Sequence, residues 1–170
     1  MPRKRPAIGK RELKRLTREN LKAELNRHGL ITQDMTAGSI TYTVARFPHE
    51  ENQIVAAIYG SIKGCASLWM KENAFQSAKP ALMSKENVVV EDVAMFRRGF
   101  QWAVHFDSPT DDLIPVCVEA AVNAGQARLD KTLKRRAEDE RRASEREARQ
   151  AKMAERKRNW KTSDDGSDSK

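Results

Sequence analysis

Side chains suited to acid–base, metal or nucleophilic chemistry are scarce in this chain of 170 residues. It has three histidines, His28, His49 and His105, and two cysteines, Cys65 and Cys117. No two histidines have the spacing of metal ligands on one helix face, and the cysteines lie 52 residues apart with no Cys-x-x-Cys pair. We therefore expect neither a metal nor any other cofactor.

Two local pairs have residue types that support general acid–base catalysis, His105 with Asp107 and His49 with Glu50. An enzyme built around His105 or Cys117 is therefore an open hypothesis. No nucleophile motif and no Gly-rich phosphate loop accompanies these residues. We accordingly expect that the chain is not an enzyme, and that both cysteines are reduced and buried in an intracellular protein.

Positive charge is the more informative feature because it is segregated along the chain. Residues 1–27 hold ten Lys or Arg against three Glu, and residues 131–161 hold thirteen against six acids. The last nine residues carry −2, which leaves −4 on residues 28–130 in a chain whose total is +8. A pI near 9.7 with cations gathered on two extensions predicts contact with nucleic acid.

The predicted nucleic-acid contacts form three groups of cations. Each cation placed against a phosphate releases counterions, so binding would depend little on sequence. The groups are the N-terminal arm with the first helix, the tip of a hairpin, and the end of the C-terminal helix. The residues are Arg3, Lys4, Arg5, Lys10, Arg11, Lys14, Arg15, Arg18, Arg97, Arg98, Arg142, Arg149, Arg156, Lys157 and Arg158. An aromatic content of 6% argues against a base-stacking platform.

The main alternative is a protein-interaction or assembly protein that docks through its long C-terminal helix, on another protein or on a second copy. Opposite charges three or four residues apart can stabilise this helix without a core. It lacks the apolar a and d positions of a coiled coil. Arginine recurs every seven residues from Arg128 to Arg156, and residues 151–161 are almost unopposed cations with Trp160 near the end. Any contact is expected at this distal end.

The elements that position these residues are predicted to form an α+β fold. It consists of a small antiparallel sheet of about three strands, including a hairpin within 87–107, packed with helices, and a long charged C-terminal helix. The predicted parts are a disordered basic arm at 1–10, a compact α+β body at 11–133, a charged solvent-exposed helix at 134–161 and a disordered acidic tail at 162–170.

Local patterns predict the element order α-β-α-β-β-α. Leucine spacing predicts a first helix over 10–28 that stops at Gly29. Residues 39–47 alternate as a strand does but also fit one helical face, and their β-branched content favours the strand. Residues 50–71 predict a helix, and residues 72–87 a loop with room for one helical turn.

The last helix has two possible starts. Either Ser108 is its N-cap, or it begins near Asp112 with Pro115 in its first turn.

Residues 16–30, LTRENLKAELNRHGL, resemble the first half of the SAP motif, a short two-helix DNA-binding module. In the second half, Gly38 and Arg46 fit the pattern, but Ile40 and Thr43 stand where the motif has Lys and Leu. The resemblance implies a second helix in this region and contact with DNA, and no site residues are carried over from it. The matching positions are Leu16, Leu21, Lys22, Leu25, Gly29 and Leu30.

The sequence predicts no targeting or membrane segment. The basic N-terminus is not followed by an apolar stretch, and the most apolar region, near 54–70, contains Lys63. The expected location is therefore the cytoplasm, or the nucleus if the source is eukaryotic.

Overall fold

The computed structural model describes residues 8–96 and 99–164, with side chains as far as residue 161. The described residues form α1 (Lys10–Arg27), β1 (Ile31–Ala37), β2 (Ile40–Arg46), β3 (Ile54–Gly60), β4 (Ala66–Met70), α2 (Glu72–Met83), β5 (Val89–Asp92), β6 (Trp102–Phe106) and α3 (Leu113–Asp164). The α+β class, the antiparallel sheet and the long C-terminal helix are confirmed. The prediction of about three strands is wrong, because the described ranges contain six.

The six strands form one sheet in the order β1-β2-β3-β4-β6-β5. Every neighbouring pair is antiparallel. The first four strands form a meander, and α2 then connects β4 to the β5–β6 hairpin. In this hairpin, β6 pairs with β4. The residues that follow β3 therefore lie near β5 and β6, at one end of the sheet.

The main core joins one face of the sheet to all three helices. It includes Leu21 of α1, Ile58 of β3, Phe75 of α2, Phe106 of β6 and Ile114 of α3, all buried. A smaller cluster has strand and loop residues only: Val44, Ala57, Tyr59, Val93, Phe100 and Ala103. Strand alternation therefore directs one set of side chains to the helices and the other set to the opposite face.

The chain divides into two compact units, Met1–Ala127 and Arg128–Lys170, and α3 contributes to both. In the first unit, Gly125 of α3 lies against Val55, since a Cβ built on Gly125 would lie 3.0 Å from both valine methyl groups. In the second unit, every described side chain from residue 133 to 161 is exposed. Ion pairs and helix propensity must therefore stabilise this part of the helix, since it buries no apolar face.

The helix predicted over 50–71 is wrong, because β3 and β4 occupy this region. Apolar residues spaced by four lie on one helical face, but they also lie on one face of a strand, since four is a multiple of two. Gly64, which lies between β3 and β4, is close to another backbone segment. A Cβ there would lie 2.8 Å from the Phe106 carbonyl oxygen, which also accepts a hydrogen bond from the Cys65 N–H at 2.7 Å.

Two further elements differ from the prediction. The segment expected to be a loop at 72–87 contains the helix α2, and β1 was not predicted. Because β1 and β2 follow α1, the second helix implied by the SAP resemblance is absent from this described region. The strand predicted over 39–47 is present as β2 (Ile40–Arg46).

Local hydrogen bonds explain where the first helix ends and where the last helix begins. The α1 helix ends in a Schellman motif: Gly29 has φ +81°, its N–H donates to Asn26, and the Leu30 N–H donates to Leu25. The α3 helix takes the later of the two predicted starts. Its first residue, Leu113, donates its N–H to Asp111 Oδ1 at 2.9 Å, which leaves Pro115 in the first turn.

Candidate nucleic-acid-binding surfaces

The predicted contact residues fall in different parts of the structure. Arg3, Lys4, Arg5, Arg97 and Arg98 lie outside the described residues, as do the predicted arm before residue 8 and the tail after residue 164. The others lie on two helices. Lys10, Arg11, Lys14, Arg15 and Arg18 are on α1, in the first unit, and Arg142, Arg149, Arg156, Lys157 and Arg158 are on α3, in the second.

On α1, the side chains of Arg18 and Lys22 turn toward the sheet and meet Asp34 of β1. Arg18 Nη2 lies 3.4 Å from Asp34 Oδ1, and Lys22 Nζ lies 3.0 Å from the same oxygen. Arg18 also donates to the Thr43 hydroxyl at 3.0 Å, and Thr43 in turn donates to Asp34 at 2.5 Å. These hydrogen bonds lower the pKa of Asp34, with the bond from Thr43 the largest cause and Lys22 and Arg18 adding to it.

This arrangement follows from the helical positions of the two cations. Thr17 and Leu21 are fully buried on the inner face of α1, and Arg18 and Lys22 each follow one of them along the helix. Their side chains are therefore largely covered, with 27% and 19% of their surface exposed. Arg18 Nε is buried without a hydrogen-bond partner. Arg18 and Lys22 of α1 thus have their positive charges paired within the first unit.

The other α1 cations are only partly available. Arg15 pairs with Glu12, its nitrogen and oxygen 2.6 Å apart, and Lys14 donates to the Ser61 carbonyl oxygen at 3.2 Å. Lys10 and Arg11 are exposed and form no ion pair with a described residue. A shallow cavity of about 320 Å³ brings Lys14, Arg15, Arg18 and Lys22 together, with Glu19 and Asp34 in the same lining.

In the proximal part of the exposed α3 segment, residues 134–148, two arginines form ion pairs. Arg142 Nη2 lies 2.9 Å from Glu138 Oε1, and Arg141 Nε lies 3.8 Å from Glu145 Oε1. All four side chains are exposed, so each pair contributes only a few tenths of a kcal/mol, about 0.3–0.5. The near balance of charge predicted for this part of α3 therefore corresponds to ion pairs between neighbouring turns.

The distal part of α3 differs, because one helix face there carries cations and apolar side chains together. Arg149, Lys152, Met153, Arg156 and Trp160 are spaced three or four residues apart and share that face. All are exposed, Met153 by 62% and Trp160 by 74%. We call these five residues the distal face. Lys152 was not predicted as a contact. Its spacing, three residues after Arg149 and four before Arg156, was the signal in the sequence that placed it on this face.

The cations of this distal region are also weakly opposed by acids. Residues 151–161 contain five Lys or Arg and a single acid, Glu155. Lys152, Arg156 and Lys157 form no ion pair with any residue that the structure describes. The distal face therefore presents charge that is not already neutralised by the protein.

The residues considered for catalysis or metal binding are placed as follows. Cys65 and Cys117 are free and buried, as predicted, and burial raises the pKa of the Cys117 thiol to about 12, which makes it a poor nucleophile. No group of three His, Cys, Asp or Glu within the described ranges could hold a metal ion. His105 hydrogen-bonds to Ser61 and Glu91 rather than to its predicted partner Asp107.

No helix in the described part of the chain is long and apolar enough to cross a membrane. Comparison of the chain with protein-family models, with curated proteins and with solved structures found no match. A function for this protein therefore has to rest on the chemistry of its own residues.

Proposed function

We propose that this protein binds nucleic acid through contacts with the phosphate backbone, with little dependence on base sequence. The observation that carries the proposal is the distal face of α3, where cations without described partners are exposed on a continuous helix. Phosphates attract such cations, and the release of condensed counterions supplies much of the free energy of binding.

The distal face suits a phosphate backbone better than α1 does. On α1, a phosphate would have to compete with Asp34 and Glu12 for Arg18, Lys22 and Arg15. On the distal face there is no such competition among the described residues. The predicted N-terminal arm and Lys10 and Arg11 remain secondary contacts in this proposal, because such contacts add affinity for every sequence alike.

The proposal includes an intracellular setting, in the cytoplasm or, in a eukaryotic source, in the nucleus. Two buried free cysteines support it, because reducing compartments keep thiols unpaired. Nucleic acid is also concentrated in these compartments. Whether the preferred strand is DNA or RNA is left to experiment, since the phosphate chemistry is shared.

Fluorescence anisotropy with labelled oligonucleotides tests the proposal. The full chain is titrated into duplex DNA, single-stranded DNA and RNA, each in two unrelated sequences, at 50 and 200 mM salt, concentrations at which phosphate contacts are strongly salt-dependent. We expect affinities that fall steeply with salt and differ little between sequences of one strand type. Binding that does not change with salt, or no binding at the lower salt, would contradict the proposal.

A second candidate function is protein docking through the same helix. It is favoured by one observation, the exposure of Met153 and Trp160 on the distal face, because exposed apolar side chains often mark a protein contact. Light scattering discriminates the two functions. A defined oligomer whose mass does not change when nucleic acid is added would favour docking, and a monomer that gains mass only with nucleic acid would favour the main proposal.

A further inference from the structure

A serine, a histidine and a glutamate form a chain of hydrogen bonds at one end of the sheet. The Ser61 hydroxyl, just after β3, lies 2.6 Å from His105 Nδ1 on β6. His105 Nε2 lies 3.2 Å from Glu91 Oε2 on β5. The three residues come from separate segments and are brought together by the strand order, in which β6 lies between β4 and β5.

The alternation of β6 explains why the histidine is available for this contact. Val104 and Phe106 pack in the main core, so His105 between them points to the opposite face. Ser67 lies directly across from His105 in the neighbouring strand, and Glu91 lies two residues from the residue paired with His105 on the other side. The His105 side chain is 7% exposed, so its ring is held within this cluster.

The hydrogen bonds set the roles of the two ring nitrogens. The carboxylate of Glu91 can only accept, so Nε2 carries the hydrogen and Nδ1 presents its lone pair to the Ser61 hydroxyl. Burial lowers the pKa of His105, an effect opposed by Glu91 and Asp107 and reinforced by Lys63. The neutral ring that can accept a proton from Ser61 is therefore the prevailing form at neutral pH.

A small cavity adjoins the serine. Its volume is about 260 Å³, and its lining includes Ser61, Lys63, Ser67, Trp69, Glu91 and His105. Lys63 Nζ lies 3.3 Å from Glu91 Oε1, so the cation and the carboxylate of this lining offset each other. The size and charge of the cavity therefore suit a small, uncharged acyl group.

We propose that Ser61 and His105 form an acyl-transfer site that hydrolyses small esters or thioesters, with Glu91 as a positioning residue. Ser61 Oγ forms a bond to the substrate carbonyl carbon while its proton passes to His105 Nδ1. The bond to the leaving alcohol or thiol breaks, and that group takes the proton from His105. Water then attacks the acyl-serine by the same route, which releases the carboxylic acid and restores the Ser61 hydroxyl.

This inference does not depend on nucleic-acid binding, because it rests on residues of the first unit alone. It is an alternative to the expectation, drawn from the sequence, that the chain is not an enzyme. The sequence paired His105 with Asp107, whereas hydrogen bonds in the structure join it to Ser61 and Glu91.

A fluorescent alkyl fluorophosphonate tests the site without knowledge of the natural substrate. Its phosphorus forms a bond to an activated serine oxygen, fluoride leaves, and the serine proton passes to the neighbouring base. In the full-length wild-type chain we expect one adduct, mapped by mass spectrometry to Ser61. Because burial lowers the pKa of His105, labelling should keep its full rate as pH falls through about 6.5 and decline only below it.

Variants distinguish activation of Ser61 from simple exposure. Ser61→Ala should abolish labelling, and His105→Asn should slow it by about a hundredfold or more, the usual contribution of a general base. Ser67→Ala is the matched control, since Ser67 lines the same cavity without a hydrogen bond to His105. It should label at the wild-type rate. Glu91→Gln should move the pH at which labelling declines, and Glu91→Asp should restore part of the wild-type profile.

Two outcomes would overturn the proposal. One is the absence of a Ser61 adduct in the folded wild-type chain. The other is labelling of His105→Asn at the wild-type rate while circular dichroism shows both proteins folded. In either case, the three residues act as a structural brace that holds the β3–β4 turn against β5 and β6.

Discussion

The two basic helical segments, α1 and the distal part of α3, both have an excess of cations, but these cations have different partners. On α1, Arg18 and Lys22 are directed by buried neighbours toward Asp34 and Thr43. On distal α3, no core directs the side chains, and the cations of the distal face stay exposed. Local charge density is therefore a poor guide to a binding surface unless the ion-pair partners of each cation in the folded protein are known.

Removing distal α3 should give the largest effect on nucleic-acid binding. A chain that ends at residue 150 loses six Lys or Arg and four Asp or Glu, so its formal net charge falls only from +8 to +6. We nevertheless expect affinity at 50 mM salt to fall by roughly a hundredfold, because the lost cations are those proposed to contact phosphates. Anisotropy measures this, and an unchanged thermal midpoint would show that the first unit is intact.

Arg18→Gln should instead affect stability. The substitution removes the charged donor to Thr43 and Asp34 from a largely covered position, so we expect a loss of about 1–2 kcal/mol in the free energy of unfolding. Urea denaturation measures it. Arg11→Gln, on the exposed side of the same helix, is the matched control and should change stability by less than about 0.5 kcal/mol. Equal losses in the free energy of unfolding for the two variants would mean that the covered Arg18 stabilises the fold no more than the exposed Arg11.

A pair of single substitutions on α3 sharpens the comparison within one helix. Arg156→Gln removes a cation of the distal face, whereas Arg142→Gln removes one that is paired with Glu138 at 2.9 Å. We expect about three- to tenfold weaker binding for the first variant and less than about twofold for the second. Competition titrations with unlabelled oligonucleotide measure both. Similar losses would mean that the helix acts through its overall charge.

The smallest expected effect is a pH dependence of stability at Asp34. Its pKa is lowered in the folded state, so the carboxylate stabilises the fold at pH values above its unfolded pKa of about 3.9. That contribution is lost as pH falls through the lowered folded value. Asp34→Asn should therefore be less stable than wild type at pH 6, with the difference shrinking near pH 3. Thr43→Val, which removes the largest cause of the shift, should reduce this dependence.

The sequence predicted well where a pattern had one structural solution, as in the first helix with its stop at Gly29 and in the long charged helix. Residues 39–47 fit both a strand and a helix, and their β-branched content favoured the strand. The region 50–71 failed because a four-residue spacing is compatible with both a helix and a strand, and pairing with β2 and β6 decided between them. Such pairings join residues far apart in the chain.

The candidate sites show the same limit. The ion pairs of Arg18 and Lys22 with Asp34 were not predicted, because charge spacing along α1 does not show which strand residues lie beside it. Ser61 and Glu91 were missed because the Ser61 turn was assigned to a helix interior. In contrast, the distal face depends only on spacing along one helix, and two of its members, Arg149 and Arg156, were among the predicted contacts.

The salt dependence of binding to duplex DNA tests the central claim most directly. Two variants with equal charge are compared with wild type: Lys152 and Arg156 changed to Gln in distal α3, and the ion-paired Arg141 and Arg142 changed to Gln in the proximal part. We expect the distal variant to reduce the magnitude of the slope of log K against log salt by about 2. The proximal variant should reduce it by less than about 0.5. Equal reductions in both variants would contradict the account.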